Sequence, residues 1–168
     1  NFVVANDVPK ALICQIEILY ADNTIETIVT NDSWQGRKDK LRFAELYDGE
    51  IYDSNFENTL VPVSILDHTK EIIVKQQGEK IVEQEIIHPV SIFKAPNGDT
   101  IIDFGQNMTG YFEFTVNAKK GDKVEFTVCE VLDKYGNFYN ENYRDAKCIY
   151  KYICKDGPVF RMDKLETL

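Results

Sequence analysis

A chain of 168 residues suffices for one large domain or two small ones, and 43% hydrophobic with 12% aromatic residues makes it globular rather than disordered. A formal charge of −9 repels phosphate backbones, and the Lys and Arg residues are scattered, so nucleic acid is not an expected partner. No apolar run approaches the roughly 20 residues that span a bilayer, so no membrane partner is expected; no basic, apolar leader is visible either.

Strand alternation begins at residues 12–20. Leu12, Cys14, Ile16, Ile18 and Tyr20 are apolar and expected to face inward, while Gln15 and Glu17 point outward. Asp22-Asn23 then supplies a hairpin turn. Trp34, the only tryptophan, follows Asp32-Ser33. It is expected to begin a strand and pack inward; the other reading is an exposed platform for a sugar face.

Residues 47–53 hold Asp48, Glu50 and Asp53. In an extended strand, alternation puts Asp48 and Glu50 on one face. Oxygen-rich clusters of this kind suit calcium, which takes roughly 6–8 oxygen ligands. Calcium on Asp48 and Glu50 is therefore the one cofactor the pattern admits. The plainer reading is a solvated strand edge. Residues 54–67 are irregular, and a domain boundary is placed there, at 66/67.

From residue 96 onward turns and strands alternate closely. Pro96-Asn97-Gly98-Asp99 contains an Asn-Gly pair, a strong hairpin signal. A strand is expected at 100–104, then a polar knot of Asp103, Gly105, Gln106 and Asn107. Gly105 permits a bend, and the Asp and Asn side chains are expected to satisfy turn amides. Met108 is read as packing. Residues 111–117 place Phe112, Phe114 and Val116 inward; residues 123–131 do the same with Val124, Phe126 and Val128. Turns are expected at 120–122 and 134–137, a single helical turn at 141–146, and a strand at 147–155. Tyr135, Phe138, Tyr139 and Tyr143 crowd one loop region, and docking on a neighbouring domain is the preferred reading over sugar contact.

These elements predict an all-β protein. About seven short strands between turns after residue 70 suit an antiparallel β-sandwich, preceded by a partial second β-domain. Four cysteines occur, with no C-x-x-C pair. Cys148 and Cys154 lie about 20 Å apart along one strand at roughly 3.3 Å per residue, too far for a disulfide. All four are read as small buried hydrophobes. His68 and His88 are isolated, so no zinc site is expected.

Three stretches in order carry a family resemblance. They are Asp103-Phe104-Gly105-Gln106-Asn107-Met108-Thr109-Gly110, then Glu130-Val131-Leu132-Asp133 with Gly136, then Asn142-Tyr143-Arg144-Asp145-Ala146. The series resembles the β-sandwich region of bacterial α-L-rhamnosidases of inverting glycoside hydrolase family 78. Earlier, Tyr20-Ala21-Asp22, Asp32-Ser33-Trp34 and Tyr47-Asp48-Gly49-Glu50-Ile51-Tyr52-Asp53 are similar to that family's N-terminal domain. The chain departs from the pattern at Ser54-Asn55, where the family often has Ala-Arg.

The resemblance implies a jelly-roll or concanavalin-like sandwich at 67–168 and part of the N-terminal β-domain at 1–66. It implies a piece of a longer bacterial enzyme, cytoplasmic, periplasmic or secreted, acting on L-rhamnosides. Inverting hydrolysis needs two carboxyl groups about 6.5–9.5 Å apart. The family carries them in an (α/α) barrel, in an acidic motif this chain lacks, so no catalytic residue is expected here. The barrel is the expected partner within the same polypeptide. Asp48, Glu50, Asp53 and Trp34 are the candidate ligand contacts, since some family members hold a calcium-dependent rhamnose-binding module. Asp103, Gly105, Gln106, Asn107 and Arg144 are read as structural. A free-standing carbohydrate-binding module is the alternative.

Overall fold

Period-two alternation becomes β-strand throughout. The computed structural model describes residues 11–162 apart from 76, 80 and 81. In chain order the first strands are β1 (Gln15–Leu19), β2 (Ile25–Val29), β3 (Gln35–Gly36), β4 (Leu41–Glu45), β5 (Gly49–Asp53) and β6 (Val61–Pro62). Then follow β7 (Ser91–Lys94), β8 (Thr100–Asp103), β9 (Glu113–Ala118), β10 (Lys123–Thr127), β11 (Val131–Leu132), β12 (Phe138–Tyr139), β13 (Ile149–Ile153) and β14 (Gly157–Met162). The only helical element among the described residues is a 3-10 turn at Glu141–Tyr143, inside the stretch expected to make one turn.

The described residues form two compact units. One draws on Asn1–Lys38 and Asn58–Glu79, the other on Asp39–Glu57 and Lys80–Leu168. In the first unit β1 and β2 form an antiparallel hairpin, with Ile16 opposite Ile28. Its turn works as the sequence suggests. Asn23 takes a left-handed φ of 67°, and the Asp22 carboxylate accepts the Thr24 amide at 3.0 Å. β3 pairs with β6. The inward row expected at residues 12–20 is not buried, however. Leu12 and Tyr20 are exposed, Ile16 is 44% exposed, and Cys14 and Ile18 are half-buried. Among the described residues of this unit no second layer covers the hairpin, and a two-stranded ribbon cannot bury a face alone.

The second unit has two layers. One is a four-stranded sheet in the order β10-β13-β5-β4; the other is the ribbon of β9 and β14. Alternation along β13 sends Tyr150 and Tyr152 to one face, where they are 2% and 5% exposed. Val124 and Phe126 lie opposite them on β10 in antiparallel register. From the other layer, Phe112 stacks on Phe126 with centroids 5.2 Å apart, and Phe114 meets Tyr152 edge-on at 5.7 Å. Val116 and Ala118 close the cluster around the fully buried Cys154. Of the inward rows expected at 111–117 and 123–131, Phe112, Phe114, Val116, Val124 and Phe126 pack half-buried around Tyr150, Tyr152 and Cys154. Each buried aromatic contributes on the order of 2–3 kcal/mol, and each ring pair about 0.5–1.5 more.

Three details differ from the sequence reading. β13 pairs with β5 in parallel, where an antiparallel arrangement was expected. The long connection between them permits it, because parallel neighbours need a crossover. Of the cysteines only Cys154 is buried; Cys14, Cys129 and Cys148 are half-buried and free. Cys129 follows β10 and Cys148 precedes β13. Met108 is 39% exposed rather than packed.

Candidate functional site

The residues singled out around 47–53 enter a dense seam between β5 and β13. At its start the Tyr47 carbonyl accepts the amides of Lys147 and Cys148, both at 2.9 Å. The Asp48 carbonyl accepts the Ile149 amide at 3.1 Å. Asp48's own carboxylate pairs with Lys147 Nζ at 3.1 Å. Gly49, with φ of 101°, lets β5 lie directly against Ile149. Glu50 stands in register with Tyr150, half-buried, on the strand face shared with Tyr52. Tyr52 stacks on Tyr152 at 5.3 Å, with ring planes 7° apart.

The far end of the seam is clamped. Ser54 Oγ donates to the Ile153 carbonyl at 2.7 Å, and Asn55 Nδ2 donates to the Cys154 carbonyl at 2.9 Å. The Asp53 carboxylate accepts the Asn55 amide at 2.9 Å and so holds that side chain in place. Sequence reasoning assigns no such contact to Ser54, Asn55 or Gly49. The Asp48-Gly49 pair after Tyr47 was the available signal for a tight backbone approach.

Electrostatics follow burial. The Tyr150 phenol is pushed up to about 12 by its burial, with Cys148 and Tyr143 adding to the effect. Burial also raises Tyr152 and Tyr143. Cys148 is raised by burial and then by the Asp48 carboxylate beside it. Among the described residues no group of three or more His, Cys, Asp or Glu side chains is placed to hold a metal ion.

The other candidates lie apart from this seam. Trp34 belongs to the first unit, half-buried just before β3, and its carbonyl accepts the Val63 amide at 3.3 Å. Asp103 ends β8. Its carboxylate accepts the Gly105 amide at 2.7 Å and its carbonyl accepts the Val90 amide at 2.8 Å. Gly105 has φ of 74°, and a Cβ there would meet Val90 at 3.1 Å. Gln106 and Asn107 are exposed. Arg144 is exposed too, with φ of 58° and ψ of −113°, an uncommon backbone conformation for a residue with a side chain.

A third cluster sits on the β11–β12 hairpin. Asp133 organises its turn, accepting the amides of Tyr135 and Asn137, both at 2.8 Å. Those bonds hold its carboxyl below the usual range, the Asn137 amide first among them. Asn137 Oδ1 in turn accepts the Asn97 amide at 3.0 Å, tying this turn to that of the β7–β8 hairpin. Of the four aromatics expected to crowd this region only Tyr135 is exposed, at 69%; Phe138, Tyr139 and Tyr143 are half-buried.

Two facing β-layers with an aromatic interior define a β-sandwich protein of the concanavalin-like class. Residues 93–161 match the bacterial α-L-rhamnosidase concanavalin-like domain, and residues 4–92 match the α-L-rhamnosidase N-terminal domain. The chain belongs to the α-L-rhamnosidase family. An α-L-rhamnosidase from Alteromonas sp. (strain LOR) is 33% identical, over 89% of this chain and 18% of its own length. The crystal structure of the Streptomyces avermitilis α-L-rhamnosidase complexed with L-rhamnose aligns with a TM-score of 0.78 and 26% identity, over 92% of this chain and 16% of that one. The Aspergillus terreus enzyme has the same fold here, with a TM-score of 0.79 at 22% identity, over 91% of this chain and 19% of that one. The chain thus spans less than a fifth of the curated relative's length, and it matches the N-terminal and β-domain portion.

Proposed function

We propose that this chain is the non-catalytic β-sandwich part of an α-L-rhamnosidase that hydrolyses terminal α-L-rhamnosides with inversion. The sandwich supports the catalytic (α/α) barrel of the same polypeptide and docks against it. The observation that carries this reading is the match of residues 4–161 to the two β-domain segments of a family whose members are α-L-rhamnosidases. The exposed Gln106, Asn107 and Arg144 support a docking role, since an uncommon backbone held at the surface suits a contact made elsewhere. The test compares nitrophenyl α-L-rhamnoside hydrolysis by this chain alone with that by its full open reading frame. Activity only in the longer protein is expected. Turnover by this chain alone would overturn the assignment of catalysis to the barrel.

A second reading is a carbohydrate-binding module, favoured by the exposed Tyr135 on a rigid turn. Trp34, Asp48, Glu50 and Asp53 are the earlier candidates for that role. Asp48 is already engaged by Lys147 and Asp53 by the Asn55 amide, so calcium on this strand would have to displace an ammonium group. Calorimetric titration with L-rhamnose, with and without calcium, separates the module from the scaffold.

A further inference from the structure

We infer that the β11–β12 hairpin carries a subsite for one rhamnosyl group, with Tyr135 as its platform. The inference rests on the α-L-rhamnosidase reading for the identity of the sugar and on the hairpin's own geometry for the site. Val131, Leu132, Asp133, Lys134, Tyr135, Tyr139 and Glu141 line an open hollow of about 580 Å³. Its chemistry is divided. Val131, Leu132 and the two tyrosine rings form an apolar wall, with Val131 51% and Leu132 38% exposed. Glu141 and the phenol groups of Tyr135 and Tyr139 make no hydrogen bond to another described residue, so their bonding capacity faces solvent.

Two features separate this hollow from a protein-docking face. The exposed apolar side chains of the hairpin are Val131, Leu132 and one of the region's four aromatics, a small anchor for an interface of several hundred Å². The single exposed ring offers one flat apolar face, enough to stack one pyranose within the wider hollow. The hairpin is also held before any ligand arrives. Asp133 uses its carboxylate on the Tyr135 and Asn137 amides, and Asn137 is clipped to Asn97. Preorganisation of this kind lowers the ordering cost of binding. Lys134 Nζ sits 4.9 Å from the centre of the Tyr135 ring and covers one side, so the sugar stacks on the other. A 6-deoxy sugar fits the division. Its C5 methyl and axial C–H groups meet the apolar wall, and its hydroxyls bond Glu141 and the phenols.

The test is amide NMR of this chain titrated with methyl α-L-rhamnopyranoside, with methyl α-D-glucopyranoside in parallel. Saturable shifts centred on Tyr135, Tyr139 and Glu141 are expected. Tyr135→Ala should weaken binding about tenfold, Tyr135→Phe should keep most of it, and Glu141→Gln should weaken it less than Tyr135→Ala. Both positions are exposed, and matching spectra of the free variants confirm the fold. Saturable shifts elsewhere, or none, overturn the subsite. Shifts at these residues with the glucoside alone overturn the rhamnosyl assignment. Shifts that appear only when the rest of the parent polypeptide is added overturn it in favour of a docking face. Rhamnoside hydrolysis by the full open reading frame is scored separately, so a silent hairpin in an active enzyme sinks the subsite and leaves the family function standing.

Discussion

A methyl group at Gly49 would lie 2.1 Å from the carbonyl oxygen of Ile149. No rotamer relieves that contact, since both partners are backbone. The left-handed φ of 101° adds strain for any side chain. Gly49→Ala therefore forces β5 away from β13. The expected loss is about 3 kcal/mol or more, read as a lower urea midpoint, with Gly98→Ala on the open β7–β8 turn costing about 1. Equal effects at the two glycines would show that the seam tolerates separation.

The seam also makes residues 39–57 part of the sandwich core. A chain beginning at residue 58 lacks β4 and β5, leaves an edge of β13 bare and removes the Tyr52 stack from Tyr152. Such a chain is expected to bind hydrophobic dyes and lose cooperative melting. A chain beginning at residue 39 should retain a cooperative transition. Adding a peptide of residues 39–57 to the shorter chain should restore part of its structure by circular dichroism.

Ser54 and Asn55 bind the carbonyls of Ile153 and Cys154. Ser54→Ala removes one of two bonds to the Ile153 carbonyl, which keeps the Ser54 amide at 3.1 Å, and is expected to cost about 0.5–1.5 kcal/mol. Asn55→Ala should cost about as much. The double variant should cost less than the sum, because both clamp the same strand end. Urea melts of the three variants measure this.

Tyr150 gives an alkaline dependence with a defined sign. Its folded pKa, about 12, lies above the ordinary value of 10.0. Between those values the unfolded chain releases the phenol proton and the native chain keeps it, so stability falls as pH rises through that window. The contribution is complete below pH 10 and amounts to roughly 2–3 kcal/mol. Tyr150→Phe should flatten the slope of stability against pH above 10, checked by urea melts from pH 8 to 11.

Asp133 acts in the opposite direction. Its carboxyl is held low by the Asn137 and Tyr135 amides, so what it contributes is present above the ordinary carboxylate range and fades as pH falls below it. Hydrogen exchange at those two amides should accelerate in Asp133→Ala, while amides in β13 stay protected. Uniform acceleration would mean the turn is coupled to the whole sandwich.

The fold class was legible because it rests on local signals. Alternation at Phe112, Phe114 and Val116 and the Asn97-Gly98 turn each determine short-range geometry, and both stand in the structure. The same alternation at Leu12 to Tyr20 is equally clear, yet those residues are exposed here. A pattern states which side of a strand is apolar; it does not state what lies against that side. The parallel pairing of β5 with β13 was not legible at all, since residues far apart in sequence leave no mutual mark in a single chain. The site was less legible still. Asp48 and Glu50 looked like a pair of ligands, but Lys147, distant in sequence, takes up one of them. The hollow at Tyr135 emerges only once the hairpin shows which of four neighbouring aromatics stays outside.

The clamp from Ser54 reaches Ile153, 99 residues later. A ribosome adding roughly 5–20 residues per second releases β5 about 5–20 seconds before its partner emerges. Through that interval the nascent chain displays an unclaimed strand edge, open to pairing with a stranger. Asp48, Glu50 and Asp53 lie along that stretch, and charged side chains on an unpaired strand disfavour its pairing with another chain.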